Sequence, residues 1–173
     1  ELKSKTTLQL LQERFAPYIG KRVSEIAKLM EIPVSTNKAF NANLISAILG
    51  VKGTKLETLR EFNKANIKFK TIRLEPDGIP CEHMSFEQID FNRWIKDDWE
   101  YSQLYENFEY TKYLFVVFQY DEYETENKDR EAYFKGVTLW NMPEMVIENE
   151  LKSLWRTTKT ILEEDVQLIP RGR

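Results

Sequence analysis

The apolar run at residues 112–120, KYLFVVFQY, constrains the fold of this chain more than any other segment. A strand with one face in water alternates apolar and polar residues, whereas this run is apolar at almost every position and rich in aromatic and β-branched side chains. The pattern therefore predicts a central strand that is covered on both faces. Its fully apolar part, residues 114–118, is far too short to cross a bilayer, so we expect a soluble protein.

Periodicity and end signals predict the other long elements of the chain. They are helices at residues 7–18, 23–30, 41–50 and 143–162, and strands at residues 132–140 and 166–169. Gly50 is expected to end the third helix in the left-handed conformation, and Pro143 suits the first turn of the last and longest helix.

A β-hairpin is predicted between the third helix and the central strand. Residues 67–74, IKFKTIRL, alternate in the manner of a strand, and Pro76-Asp77-Gly78 is a turn signal. Residues 81–90 then provide a plausible returning strand, which would pair with the first.

Composition limits the kinds of site that the chain can hold. With 173 residues, of which 42% are hydrophobic, we expect a single domain over residues 1–173, mainly helical over 1–50 and carrying the sheet and the long helix over 60–173. One cysteine, Cys81, and one histidine, His83, exclude a disulfide framework, a thiolate zinc cage and a multi-histidine metal site. We therefore expect a reducing, cytoplasmic setting and, because the sequence starts without methionine, a fragment of a longer protein.

The charge distribution is more informative than the net charge of −3. Residues 52–73 contain seven basic residues against two acidic ones, whereas residues 75–131 contain sixteen acidic residues against five basic ones. Such a separation of charge can give an acidic protein one positive face, and phosphates of a nucleic acid respond to this local charge more than to the net charge. Solvated surface on both segments explains the same distribution, so charge alone leaves the two interpretations open.

Two lysines lie at alternate positions of the predicted strand 67–74. Residues two apart in a strand share a face, so Lys68 and Lys70 point the same way, opposite to Ile67, Phe69 and Thr71. Metal-dependent nucleases of the broad Asp…Glu-x-Lys class carry an acid and a lysine at this spacing, because the acids hold Mg²⁺ and the lysine orients or activates water. An edge strand with lysines on its wet face gives the same alternation.

Several segments, taken in order, resemble the MutH family, which comprises the mismatch-repair nicking endonuclease and related type II restriction enzymes acting at GATC. APYIGKRVSEIAKLMEIPV is similar to the family's opening helices, KAFNANLISAILGV to its Lys-Gly-x-x-Gly-Gln-Leu-Leu-Glu segment, and NIKFKTIRL to its Gly-Ile-Glu-Leu-Lys-Thr-Ile-Pro strand. DGIPCEHMSFEQIDF, DWEYSQLY, KYLFVVF, GVTLWNMP and ELKSLWRTTKTIL follow in the family's order. The resemblance implies an α/β fold in an α+β arrangement, restriction-endonuclease-like, with a central mixed sheet flanked by helices and an N-terminal helical segment.

The resemblance also places the family's active-site residues, and most of them have changed. Lys38 matches the lysine that opens the Lys-Gly segment, and Lys70 matches the active-site lysine. Ser46 stands where the family has a glutamate, Glu61 where it has its first active-site aspartate, and Lys68 where it has the metal-binding glutamate. An ammonium group in place of a metal ligand repels a divalent ion, by roughly 1 kcal/mol in water and by several in a partly buried cleft. The resemblance thus implies a degenerate site without a bound metal.

The leading hypothesis is a DNA-binding, catalytically inactive domain of a type II restriction endonuclease. It would bind a second DNA site as an effector or clamp for an active nuclease domain, in the same or another chain, and Mg²⁺ is expected for that active partner. Double-stranded DNA is the expected partner, with GATC implied by the resemblance alone. The residues expected to contact DNA are Lys38, Lys52, Lys55, Lys68, Lys70 and Arg73.

Two alternatives remain open at this point. The first is an active Mg²⁺-dependent endonuclease whose carboxylates have moved, with Glu61 joined by Asp77 or Glu82. The second is a protein-interaction scaffold that keeps the nuclease fold only as a fold. Metal titration separates the first alternative from the leading hypothesis, and salt-dependent DNA binding separates both from the scaffold.

Overall fold

The computed structural model describes residues 6–35, 40–50, 65–125 and 130–164. The described chain divides into two compact units, the first within Glu1–Ser85 and Lys112–Trp140 and the second within Phe86–Thr111 and Asn141–Arg173. That the whole chain folds as a single domain stays a prediction. No helix among the described residues is long and apolar enough to span a membrane.

The first unit contains a three-stranded mixed sheet in the order β1-β2-β3. β1 (Ile67–Leu74) pairs in parallel with β2 (Lys112–Tyr120), which pairs antiparallel with β3 (Ala132–Trp140). The apolar run of β2 therefore occupies the centre of the sheet, as its composition predicts. The β2–β3 register shifts between Val117 and Phe118, close to Gly136, whose φ of 128° suits a glycine at this irregularity.

Three helices precede the sheet, as predicted: α1 (Thr7–Phe15), α2 (Val23–Leu29) and α3 (Phe40–Ile48). A 3-10 turn, Ala16–Tyr18, extends α1, and Thr6 caps α1 by accepting the Gln9 N–H while the Gln9 side chain accepts the Thr6 N–H. Gly50 has a φ of 74° after α3, which confirms the predicted left-handed stop.

The helices of the first unit pack on one face of the sheet around Phe134. This side chain is fully buried, and its ring lies 5.6 Å from the rings of both Phe15 on α1 and Phe118 on β2. Ile26 on α2 and Leu44 on α3 belong to the same buried cluster. The amphipathic faces of the N-terminal helices thus supply the cover that β2 requires on this side.

The predicted β-hairpin is wrong. The turn itself forms, because Gly78 has a φ of 86° and the Asp77 carboxylate accepts the Ile79 N–H at 3.0 Å. The returning segment, however, makes a single β-bridge, between Leu74 and Pro80, and residues 81–90 contain no strand. β1 pairs with β2 along its whole length instead. Strand pairing depends on packing with neighbours in the sheet, so the distant strand β2 is preferred to the adjacent residues 81–90.

The second unit is helical among its described residues. It contains α4 (Phe91–Lys96), a 3-10 turn (Trp99–Tyr101), α5 (Gln103–Glu109) and, after one α-helical turn (Glu144–Val146) and a π-helical segment (Ile147–Leu151), α6 (Lys152–Glu163). Trp94, Trp99 and Trp155 are buried here, and the Trp94 indole donates to the Trp155 carbonyl at 3.2 Å. The predicted helix at 143–162 is confirmed, and the predicted strand at 166–169 lies outside the described residues.

Candidate nucleic-acid interface

β1 distributes the predicted cations over its two faces. Lys68 and Lys70 share one face, in register with Tyr113 and Phe115 of β2, whereas Thr71 and Arg73 point to the other. The alternation expected from the sequence therefore exists, but it separates Arg73 from the two lysines. All three residues belong to the edge strand of the sheet as the described residues form it.

Residues 80–85 run along the outer edge of β1 and close a groove against it. The Cys81 N–H donates to the Arg73 carbonyl at 2.9 Å, and farther along the Lys70 ammonium donates to the Ser85 carbonyl. The enclosed space, which we call the edge groove, measures about 470 Å³. Its lining includes Lys70, Arg73, Pro80, Glu82, His83 and Ser85.

Arg73 forms an ion pair with Glu82, and both side chains line the edge groove. Its Nε and Nη2 both donate to Glu82 Oε1, at 3.0 and 2.6 Å, and this contact is the main cause that raises the pKa of the guanidinium. The side chains stay open to solvent, at 38% exposed for Arg73 and 56% for Glu82. A predicted DNA contact is thus paired with a carboxylate of the same chain.

A larger cleft of about 960 Å³ is also lined by Arg73 and Glu82. It is bordered by the start of α2, the start of α3 and the ends of β1 and β2. Its polar lining consists of Ser24, Ser35, Asn41, Thr71, Arg73, Glu82, Tyr120, Arg130 and Glu131. Arg73 and Glu82, together with Thr71, line both the edge groove and this cleft.

A second arginine of the cleft is fixed much more firmly. Arg130 donates to Glu75 at 2.7 Å and to Glu124 at 3.3 Å, and its guanidinium lies 3.7 Å over the ring centre of Tyr120. The Arg130 and Glu75 side chains are only 15% and 22% exposed. A hydrogen bond from the Cys81 thiol and the pairing with Arg130 together lower the pKa of Glu75. This cluster ties the end of β1 to the segment before β3.

Ser46 lies inside the protein. Its side chain is 1% exposed, and its hydroxyl donates to the Ala42 carbonyl of the same helix at 2.9 Å. It lines neither the edge groove nor the cleft. Its grouping with Glu61 and Lys68 stays a prediction, because Glu61 lies outside the described residues, as do Lys38, Lys52 and Lys55.

The carboxylates considered as relocated metal ligands have partners. Glu82 holds Arg73, and Asp77 accepts the Ile79 N–H as well as a hydrogen bond from Tyr123 that raises the pKa of this phenol. Within the described ranges, no group of three or more histidine, cysteine, aspartate or glutamate residues is arranged to hold a metal ion. Glu61, the third carboxylate of that alternative, lies outside the described residues.

Two features of the site were missed by reasoning from sequence. The role of Glu82 as the partner of Arg73 depends on the path of residues 80–85, and the predicted hairpin was the only signal that brought these residues together. Arg130 and Lys128 stand among acidic residues in the sequence, and a base in such an acidic stretch is a usable sign of an ion pair.

This chain is similar to known proteins both by family model and by direct sequence comparison. Residues 53–154, more than half of the sequence, match the family model described as DNA mismatch repair enzyme MutH. The type II restriction enzyme Sau3AI of Staphylococcus aureus is 30% identical over 179 residues, an alignment that covers 97% of this chain and 35% of Sau3AI. The chain thus spans about a third of the length of this relative.

Proposed function

Because this chain belongs to the MutH family of endonucleases, we propose that it is a DNA-binding, catalytically inactive nuclease-like domain of a type II restriction endonuclease. The observation that carries the proposal is the pair Lys68 and Lys70 on one face of β1. Two ammonium groups there disfavour a divalent ion and favour a phosphate. The resemblance matches Lys68 to a metal-binding glutamate of the family, and we infer from this match that catalysis has been lost.

The relative supports a role beside an active domain. Sau3AI is a restriction enzyme about three times as long as the matched region, which leaves room for a second, catalytic part in a protein of that kind. In the proposed arrangement the present chain binds a second DNA site, with GATC as the expected sequence, and acts as effector or clamp. Mg²⁺ would be bound by the active partner domain and not by this one.

The first experiment measures binding of duplex DNA in a mobility-shift assay at several salt concentrations. Each phosphate neutralised contributes a slope of roughly 0.9 in log K against log salt, so Lys68→Ala/Lys70→Ala should lower the slope by about 1.8. Lys28→Ala/Lys135→Ala removes the same charge from exposed positions on α2 and β3 and serves as the matched control. Equal binding by wild type and both double variants would show that β1 is not the DNA surface.

The second experiment tests the loss of the metal by calorimetry with Mg²⁺ and Mn²⁺. Wild type should give no binding heat at millimolar metal, and Lys68→Glu should create a weak site together with Glu61. Lys68→Gln is the control, because it removes the same positive charge without adding a carboxylate. Metal bound tightly by the wild-type chain would instead support an active nuclease with relocated ligands.

A further inference from the structure

The ion pair between Arg73 and Glu82 has a second consequence for DNA binding. Its two side chains line both the edge groove and the cleft, and the Glu82 carboxylate occupies the guanidinium that a ligand in either space could contact. We propose that the edge groove is a binding site for the phosphodiester backbone of duplex DNA and that Glu82 is its internal competitor, which holds Arg73 until a phosphate displaces it. The proposal rests on the proposed DNA-binding function.

The lining of the edge groove suits a phosphate. Lys70 and Arg73 provide cationic donors and His83 an imidazole, while the Ser85 carbonyl holds the Lys70 ammonium at the rim. Among the described residues that line this groove, Glu82 is the only acid. Its carboxylate therefore decides whether an approaching phosphate meets a net positive or a largely neutralised surface.

Exposure makes the contact between Arg73 and Glu82 exchangeable. Ion pairs between side chains as open as these contribute little to stability, because water and salt screen them. A phosphate binds arginine through two parallel N–H···O bonds, whereas Arg73 directs its Nε and Nη2 groups to the same oxygen of Glu82, and a further hydrogen bond joins its side chain to Tyr120. A phosphodiester can thus replace the carboxylate with better hydrogen-bond geometry.

Arg130 provides the contrast within the same cleft. Its pairing with Glu75 is more than three-quarters buried on both sides and is reinforced by the ring of Tyr120. Removing Glu75 would leave this poorly solvated charge with only the exposed carboxylate of Glu124 and the ring of Tyr120, so the pair with Glu75 is much harder to exchange. Of these two arginines, Arg73 is therefore the one that DNA can recruit.

The test compares duplex DNA binding by wild type, Glu82→Gln, Arg73→Ala and the double variant. Glu82→Gln should tighten binding roughly three- to ten-fold at low salt, because one negative charge next to the phosphate is removed. In the Arg73→Ala background the same change should have less than about half of that effect on a logarithmic scale, because the contact that Glu82 blocks no longer exists. Glu163→Gln, at the exposed end of α6, changes the net charge equally and should leave binding unchanged.

The outcomes separate this inference from the proposed function. If wild type does not bind duplex DNA, the proposed function fails, and this inference fails with it. If wild type binds, and Lys68→Ala/Lys70→Ala weakens binding while Glu82→Gln behaves like Glu163→Gln, only the role of Glu82 is refuted. As a second measurement, the Nε–H resonance of Arg73 in labelled wild type should shift when the duplex is added, and an unmoved resonance would refute displacement directly.

Discussion

Replacing Ser46 with glutamate, the residue that the resemblance implies for this position, should destabilise this protein severely. Ser46 is 1% exposed on α3, among the buried side chains of Leu44, Ile45 and Ile48, and its hydroxyl is satisfied within its own helix. A carboxylate placed there loses its hydration. Desolvation of a fully buried carboxyl raises its pKa by up to about 3–5 units, and each unit corresponds to about 1.4 kcal/mol.

The expected loss for Ser46→Glu at neutral pH is therefore about 4–7 kcal/mol, a large part of the roughly 5–15 kcal/mol that stabilises an ordinary domain. Because the pKa of the introduced carboxyl is raised in the folded state, the folded state binds a proton more readily than the unfolded chain. Stability should consequently recover as the pH falls from 7.5 toward the ordinary glutamate pKa of about 4.3.

Urea denaturation followed by circular dichroism at pH 7.5 and 5.5 measures this effect. Ser46→Gln, which is similar in size but uncharged, should lose less stability and should show no such pH dependence. Ser46→Ala should change stability by less than about 1 kcal/mol, because the lost hydrogen bond is local and alanine favours helix. If Ser46→Glu is as stable as Ser46→Gln at pH 7.5, the introduced carboxylate is not desolvated and the reasoning from burial is refuted. If millimolar Mn²⁺ restores the stability of Ser46→Glu, position 46 opens onto a cation site, which refutes the reasoning equally.

Three other perturbations test the described structure. Gly136→Ala should cost about 1–3 kcal/mol in urea denaturation, because a φ of 128° strains any L side chain, although the added Cβ meets Ile19 only at an ordinary 3.7 Å. Iodoacetamide should alkylate Cys81 more slowly in the folded than in the unfolded chain. The main cause is burial, which raises the pKa of the thiol, and the hydrogen bond to Glu75 raises it further. Glu75→Gln should therefore speed the alkylation of the folded chain. The pKa of Glu75 is lowered in the folded state, so its contribution to stability is present above the unfolded pKa of about 4.3. This contribution is lost as the pH falls through the lower folded pKa. The free energy of unfolding of Glu75→Gln, measured between neutral and acid pH, should therefore fall less steeply on the acid side than that of wild type.

Local patterns were sufficient for most elements of this fold. The helices α1 to α3 follow from apolar spacing and end signals, and Gly50 stops α3 as its sequence position predicts. β2 was identifiable as the central strand because its composition requires cover on both faces. These features depend on neighbours within about a dozen residues, which is the range over which a sequence pattern reports structure.

The features that sequence could not supply depend on distant partners. The turn at Gly78 was recognisable, but the choice of β2 over residues 81–90 as the partner of β1 is made by the whole sheet. The burial of Ser46 follows from the packing of α3 in the core, where Leu44, Ile45 and Ile48 are buried as well. Likewise, the contact between Arg73 and Glu82 needs the path of the loop between them, which no spacing rule encodes.

The parallel pairing of β1 with β2 also has a kinetic consequence. Ile67 pairs with Lys112, 45 positions later, whereas Tyr120 of β2 pairs with Ala132 of β3 after only 12. Closing the longer segment costs roughly 1.2 kcal/mol more chain entropy, so β2 and β3 should associate first and β1 should dock afterwards. During synthesis, the strand that carries Lys68 and Lys70 emerges from the ribosome well before β2, and it stays without this partner until the intervening chain has been released.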